Sequence, residues 1–200
     1  MSESDHSTRR AYRMTSRAAA AARTRERLLH APTELYTTRP HDEVTLSDLA
    51  RQAGVSTPTL LRHFPSKDQL LQAAAEVARE QVVQQRGAAL VGDIPQAIDT
   101  LLDHYEVWGD RMLHLLQQED RVPVLRTLTD SGRAVHRDWI DRTFAPLLPA
   151  TEPACARRTA QLSALCDVFV WKLMRRDLGL SREQTALALH ELIAALVPPP

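Results

Sequence analysis

Thr45-Leu-Ser-Asp-Leu-Ala-Arg-Gln-Ala-Gly-Val-Ser-Thr-Pro-Thr-Leu-Leu-Arg-His-Phe-Pro-Ser-Lys67 reads as two short helices joined by a tight turn. Thr45 is a suitable N-cap, and Asp48 stands three residues on, where a carboxylate favours the first turn. Leu46, Leu49, Ala50 and Ala53 recur at helical spacing. Gly54 supplies the left-handed backbone that ends the first helix, and Val55 is the apolar plug of the turn. Ser56 caps the second helix, with Pro58 in its first turn, where a missing N–H costs nothing. Leu60 and Phe64, four apart, give that helix an inward face; Thr57, Thr59, Arg62 and His63 lie on the other. Pro65-Ser66-Lys67 then opens a third helix. The pattern is a helix-turn-helix.

Upstream lies a basic arm. Between Arg9 and Arg27 there are seven arginines and one acid, Glu26. The chain's net charge is zero, yet residues 1–70 hold eleven Lys/Arg against eight Asp/Glu, and the remainder is acidic by the same margin. Such an arm suits phosphate contacts or minor-groove insertion beside a DNA reader; a solvated tail is the alternative. Residues 1–16 are polar and of low complexity, so they are expected to lack fixed structure, while Arg17-Ala-Ala-Ala-Ala-Ala-Arg23 favours helix.

The run from Leu46 to Ser56, followed by Arg62-His-Phe-Pro-Ser-Lys67, resembles the DNA-binding domain of the TetR family of repressors, and the resemblance extends over residues 24–71. It implies an all-α chain: a three-helix DNA-binding domain at residues 23–70, preceded by the arm at 1–22. A helical effector-binding and dimerisation domain follows at 71–197. It also implies that His63 and Lys67 hold the DNA backbone. Three positions depart from the family pattern. Leu61 stands where a tyrosine usually reaches a phosphate, Pro32 interrupts the first helix, and Arg39-Pro40 replaces the usual glycine. Pro32 is expected to kink its helix.

On the reader helix, Arg62 is suited either to a guanine edge or to a phosphate. Thr57 and Thr59 offer hydroxyls to phosphates and methyls to thymine, and Pro58 and Leu61 share their exposed side. Thr45 and Ser47 begin the preceding helix, where N–H groups can face another phosphate.

Beyond the reader, Ser66 to about Gln85 reads as one helix that Arg86-Gly87 ends. Gly92-Asp-Ile-Pro95 is a turn, and a long helix follows through Ile98, Leu101, Tyr105, Trp108, Met112 and Leu116. After Val122-Pro123 the pattern predicts a short helix ending near Gly132, another from Arg133 to Phe144, and one over 154–178. Leu178-Gly-Leu-Ser181 reads as a C-cap followed by an N-cap, opening the last helix.

The resemblance implies a small-molecule pocket in this second region. His104, Tyr105, Trp108, Met112, Trp139, Cys166 and Phe169 are its candidate lining, with His136, Gln117 and Asp167 as further polar groups; an aromatic stripe at helical spacing is equally simple core. The last two helices form a hairpin suited to packing against a second copy, with Leu162, Leu165, Phe169, Leu187 and Leu192 as candidate interface. A two-fold homodimer spaces two reader helices for successive major grooves of a palindromic operator.

No apolar run approaches a membrane span, and no signal peptide is evident, so a cytoplasmic protein is expected. Cys155 and Cys166 are expected as reduced thiols, with no second pair for a metal. No cofactor is called for. The histidines are scattered, and neither a phosphate-cradling glycine loop nor a nucleophile elbow is present, so catalysis is not expected; a small helical enzyme is the remote alternative. The expected function is a ligand-responsive repressor on double-stranded DNA. The rival keeps DNA binding but docks another protein through Glu119, Asp120 and Asp130.

Overall fold

The computed structural model of the chain describes residues 3–36, 38–87 and 89–196, with side chains from residue 18 onward. It is helical, and among the described residues there are no strands. The helices are α1 (Glu3–Leu35), α2 (Leu46–Gln52), α3 (Thr57–His63), α4 (Lys67–Arg86) and α5 (Ile94–Leu116). They continue with α6 (Pro123–Thr143), α7 (Glu152–Leu165), α8 (Val168–Lys172) and α9 (Arg182–Leu196). The chain divides into two units, Met1–Ala75 and Glu76–Pro200. The first reaches beyond the expected boundary at residue 70 because Leu70, Leu71 and Ala74 of α4 are buried.

In the first unit Leu28, Ala31, Val44, Leu49, Ala50, Leu60 and Phe64 are buried. Each fully buried leucine contributes about 1.5–3 kcal/mol relative to exposure. Backbone helix begins at Glu3, where residues 1–16 were expected to lack fixed structure; the five-alanine run after Arg17 is the physical reason for helix continuing back from the core. The arm's Arg9, Arg10, Arg13 and Arg17 side chains, and Met1 and Ser2 entirely, lie outside the described residues. Helix α1 passes through Pro32 and ends three residues later, with the Pro32 carbonyl accepting from Tyr36 N–H. A proline this near the end removes one bond without ending the helix earlier.

The second unit builds its core from α5, α6, α7, α8 and α9 around Leu101, Leu102, Tyr105, Ile140, Phe144, Leu162, Trp171, Leu189 and Ile193. Three boundaries differ from those the sequence suggests. Helix α6 runs unbroken through Gly132, which is exposed, has no positive φ and costs only about 1 kcal/mol against alanine. The helix expected over 154–178 is broken at Cys166-Asp167, because the Asp167 carboxylate accepts from Phe169 N–H and caps α8. It then finishes in a π-type turn, Leu173–Asp177. Gly179 at φ 68° and the Ser181–Gln184 capping box form the expected junction before α9.

Along α5, four carboxylates recur on one stripe and meet arginines from the C-terminal part of the unit. Asp99 and Asp103 pair with Arg182, Glu106 with Arg175, and Asp110 with Arg176. Between Glu106 and Asp110, Gly109 lets the Trp171 ring lie directly on the α5 backbone. No helix among the described residues is long and apolar enough to cross a membrane.

Candidate nucleic-acid interface and an interior polar cluster

Both short helices of the first unit are fixed by their own caps. The Thr45 hydroxyl accepts from Asp48 N–H at 3.1 Å, and the Asp48 carboxylate accepts from Thr45 N–H at 3.1 Å. Hydrogen bonds from the Thr45 hydroxyl and backbone, helped by Arg39 and Arg51, hold the Asp48 carboxyl down at about 2. The turn closes through Gly54 at φ 64°, with Val55 N–H donating to the Ala50 carbonyl at 2.9 Å. Ser56 Oγ then accepts from Thr59 N–H and starts α3.

Leu60 and Phe64 anchor α3 from beneath, and the Arg25 guanidinium lies 5.0 Å from the centre of the Phe64 ring. What this leaves outward is the set expected from the sequence. Pro58, Leu61 and Arg62 are exposed, Thr57 and Thr59 half-buried, and Thr45 and Ser47 exposed on the preceding cap and turn. Arg62 donates to Thr59 Oγ1 at 2.9 Å and has no carboxylate partner among the described residues. Leu61, at 41% exposure, has its apolar side chain in water. His63 is half-buried beside the Phe64 ring.

Lys67, expected on the DNA backbone, also has partners within its own unit. Its ammonium group donates to the His41 carbonyl at 2.8 Å and the Val44 carbonyl at 3.2 Å, so two of its three donors hold the segment before α2. The side chain is a staple within the unit.

In the second unit the nominated pocket residues separate into two groups. His104, Tyr105, Trp139 and Cys166 are buried together, whereas Phe169 is 56% exposed and Trp108 is half-exposed beneath Arg111. Met112 packs at the margin of the core. Phe169 is therefore excluded from the pocket, because the Asp167 cap begins a new helix and turns it outward.

At the centre of the buried group is a residue read from sequence only as a helix end. Arg86 is 3% exposed, with its guanidinium 5.7 Å from the Tyr105 ring centre and 5.3 Å from that of Trp139. One of its terminal nitrogens lies 3.0 Å from His136 Nδ1. Burial, then the nearby Arg86 cation, push His104 down to about 3 and His136 to about 4, so both imidazoles are neutral. Burial pushes the Cys166 thiol up to about 12, which keeps it protonated and inert. Tyr105 donates to the Cys166 carbonyl at 2.9 Å. Arg86 Nε, His104 Nδ1, Trp139 Nε1 and Thr143 Oγ1 are buried with no hydrogen-bond partner among the described residues, while His136 also faces the Ser163 backbone. Nothing in a lone arginine at the end of a polar helix signals this; only the tertiary packing does.

The interface candidates also divide. Leu162 is fully buried and Leu165 packs against the core, so α7 turns these two inward rather than toward another chain. Phe169, Leu187 and Leu192 are exposed, and Leu173, not anticipated, joins them. The acids offered for protein docking are already matched by arginines of α6: Glu119 and Asp130 by Arg133, Asp120 by Arg126. Among the described residues, no group of three His, Cys, Asp or Glu side chains is placed to hold a metal ion.

Residues 28–74 match the model of bacterial regulatory proteins of the tetR family. A nucleoid occlusion factor, SlmA, from Marinobacter nauticus is 41% identical over 58 residues, 29% of this chain and 30% of that protein. The chain thus spans less than a third of that relative's length. A longer match is to the HTH-type transcriptional activator FasR of Mycolicibacterium smegmatis, 25% identical over 86% of this chain and 68% of the relative. Among solved structures, a transcriptional regulator from Rhodococcus sp. Rha1 superposes with a TM-score of 0.67 over 86% of this chain and 95% of its own, at 18% identity. That similarity carries the fold.

Proposed function

The chain belongs to the tetR family of bacterial regulatory proteins and is a DNA-binding transcriptional regulator, and from that premise we propose that it is a homodimeric, ligand-responsive repressor of a palindromic operator. The observation that carries the reading is the outward face of α3. A short helix anchored from below by Leu60 and Phe64 presents Arg62, Thr57 and Thr59, and among the described residues no carboxylate pairs with Arg62. A guanidinium free of carboxylates is the group that reads guanine in the major groove or seats on phosphate.

The exposed apolar side chains of α8, α9 and the turn between them, Phe169, Leu173, Leu187 and Leu192, support the dimer. Two-fold pairing presents two α3 helices to half-sites about 34–36 Å apart, or a multiple of that spacing. The proposed switch is a population shift: effector bound in the second unit favours a state of the dimer that fits DNA poorly. A coupling free energy of about 1–3 kcal/mol lowers operator affinity roughly 5–150-fold.

The test is selection of bound fragments from random genomic DNA, followed by footprinting. An inverted repeat protected at both half-sites supports the proposal. Protection of a single asymmetric site, or binding to any duplex alike, contradicts it. One observation favours a second reading, activation, since the relative matched over most of this chain is described as a transcriptional activator. A reporter placed under the selected fragment separates the two: deleting the regulator raises expression if it represses and lowers expression if it activates.

A further inference from the structure

We infer that the interior cluster around Arg86 binds a small carboxylic acid with an apolar body, and that such an acid is the effector; the inference rests on the ligand-responsive reading given above. A guanidinium remains charged throughout the physiological range, so Arg86 carries a permanent cation into the interior. An unpaired charge there is costly. Two aromatic faces, one imidazole nitrogen and the Tyr105 hydroxyl offset part of that cost without cancelling the charge. No carboxylate stands within ion-pair distance of Arg86 among the described residues. Asp167, whose charge acts on His136 and Cys166, spends one oxygen on capping α8.

The orphaned atoms define the missing partner. Arg86 Nε and Trp139 Nε1 can only donate, so what is missing accepts. Thr143, one turn beyond Trp139 on α6, and Nδ1 of His104 add further unmet polar atoms among the described residues. Native interiors leave few such groups unpaired, and here Arg86 Nε, Trp139 Nε1 and His104 Nδ1 belong to side chains that act on one another. The charge count then selects among anions. With both imidazoles neutral, Arg86 is the cation that meets the Tyr105 and Trp139 rings, and Asp167 acts on the same cluster with the opposite sign, so the site suits a monoanionic carboxylate better than a phosphate dianion. Tyr105 and Trp139, whose rings face Arg86, belong to the buried apolar core, so the body of a ligand on Arg86 would meet hydrocarbon. An acid with an alkyl or aryl body gains burial there, whereas a bare inorganic anion would lose hydration for nothing. Arg86 also ends α4, the helix that starts in the DNA-binding unit at Lys67, so a ligand on Arg86 acts on an element that both units share.

The experiment uses the full-length protein without DNA, by thermal shift and titration calorimetry at mildly alkaline pH. The probes are two matched trios: octanoate, octanol and octyl phosphate; benzoate, benzyl alcohol and phenyl phosphate. In at least one trio the acid is expected to bind ten-fold or more tightly than its alcohol and its phosphate. Arg86→Gln is expected to bring the acid down to the level of the alcohol. Because that change alters a buried charge, Trp139→Phe provides a second variant, which keeps an aromatic ring, though a smaller one, and removes the N–H. It is expected to weaken the acid several-fold and leave the alcohol unchanged. Acids that bind no better than alcohols in both trios, or phosphates that bind best, overturn the inference. The same probes are then added to the protein–operator complex. Release by alcohols or phosphates alone overturns the acid site and leaves the regulator reading standing. Tight acid binding with no change in operator occupancy overturns the effector role.

Discussion

Lys67 and Arg86 are the first and last residues of one helix, and each commits its cation to partners within the protein. Lys67 donates to two carbonyls of the segment before α2, and Arg86 enters the aromatic cluster of the second unit. A single helix thus takes a charge-assisted anchor at each end, and its two termini report on the reader and on the cluster respectively.

Lys67→Gln separates an internal staple from a phosphate contact. Hydrogen bonds to a charged donor are each worth about 1.5–3 kcal/mol, and half-exposure lowers that figure, so a loss of about 1–3 kcal/mol from the first unit is expected. Urea denaturation should show a lower midpoint with unchanged slope. The dependence of operator affinity on salt should stay the same, since a lost phosphate contact would reduce its slope by about one.

Arg62→Ala should behave oppositely. Its side chain is exposed and bonded only to Thr59, so folding stability should change by no more than about 0.5 kcal/mol. Operator affinity should fall about ten- to one-hundred-fold if it reads a base, with discrimination lost at one position of each half-site. Fluorescence anisotropy against the operator and single-base variants measures both effects. An unchanged preference at every position would reassign Arg62 to phosphate.

The helix-turn-helix was legible because its signals are local. Thr45, Asp48, Gly54, Ser56 and Pro58 act through caps and turn geometry that a few neighbouring residues decide. The burial of Leu60 and Phe64 follows from spacing alone. The second unit was legible only as helix. Gly132 looked like a terminator because glycine's cost is visible in sequence, while the packing of α6 that outweighs it is not. Phe169 and Leu162 lie on the same apolar stripe in sequence, yet Asp167 restarts the helix between them and sends one outward and the other inward. Arg86 was missed for the same reason: its significance is tertiary, made by Tyr105, His136 and Trp139 from helices far along the chain.

The neutral imidazoles make stability depend on pH. His104 and His136 titrate near 6.5 when unfolded and at about 3 and about 4 in the fold, held down by burial and then by Arg86. Between those values the unfolded chain binds more protons, so stability is complete above about pH 6.5 and falls as pH falls toward 4. Each histidine contributes a slope of about 1.4 kcal/mol per pH unit in that window. Urea titrations from pH 7.5 to about 4.5 should show the loss, and His136→Asn should reduce the slope by about one proton. A flat profile would mean that the imidazoles gain charge in the folded state.

Leu187→Glu tests the dimer surface. Leu187 is 60% exposed, so within one chain the change should cost little. If two copies of α9 pack together, a carboxylate at this position is buried in the assembly without a partner, which costs several kcal/mol. Analytical ultracentrifugation should then find a monomer with unaltered helical circular dichroism, and operator binding should become weak and non-cooperative. Retention of the dimer would remove α9 from the interface.

Two glycine substitutions with opposite signs test how the second unit packs. Alanine in a helix interior is favoured over glycine by about 1 kcal/mol. At Gly132 a new Cβ meets nothing within 4 Å, and the backbone is helical, so Gly132→Ala should stabilise by about 0.5–1 kcal/mol. At Gly109 the same carbon would stand 2.4, 2.6 and 2.9 Å from three ring atoms of Trp171. That indole is 1% exposed and its N–H is bonded to Glu106, so it has nowhere to move. Overpacking of this kind costs about 1–3 kcal/mol, which exceeds the helix gain, and Gly109→Ala should destabilise. Thermal unfolding followed by circular dichroism should move the midpoint up for the first variant and down for the second. A rise for both would mean that Trp171 does not rest on α5.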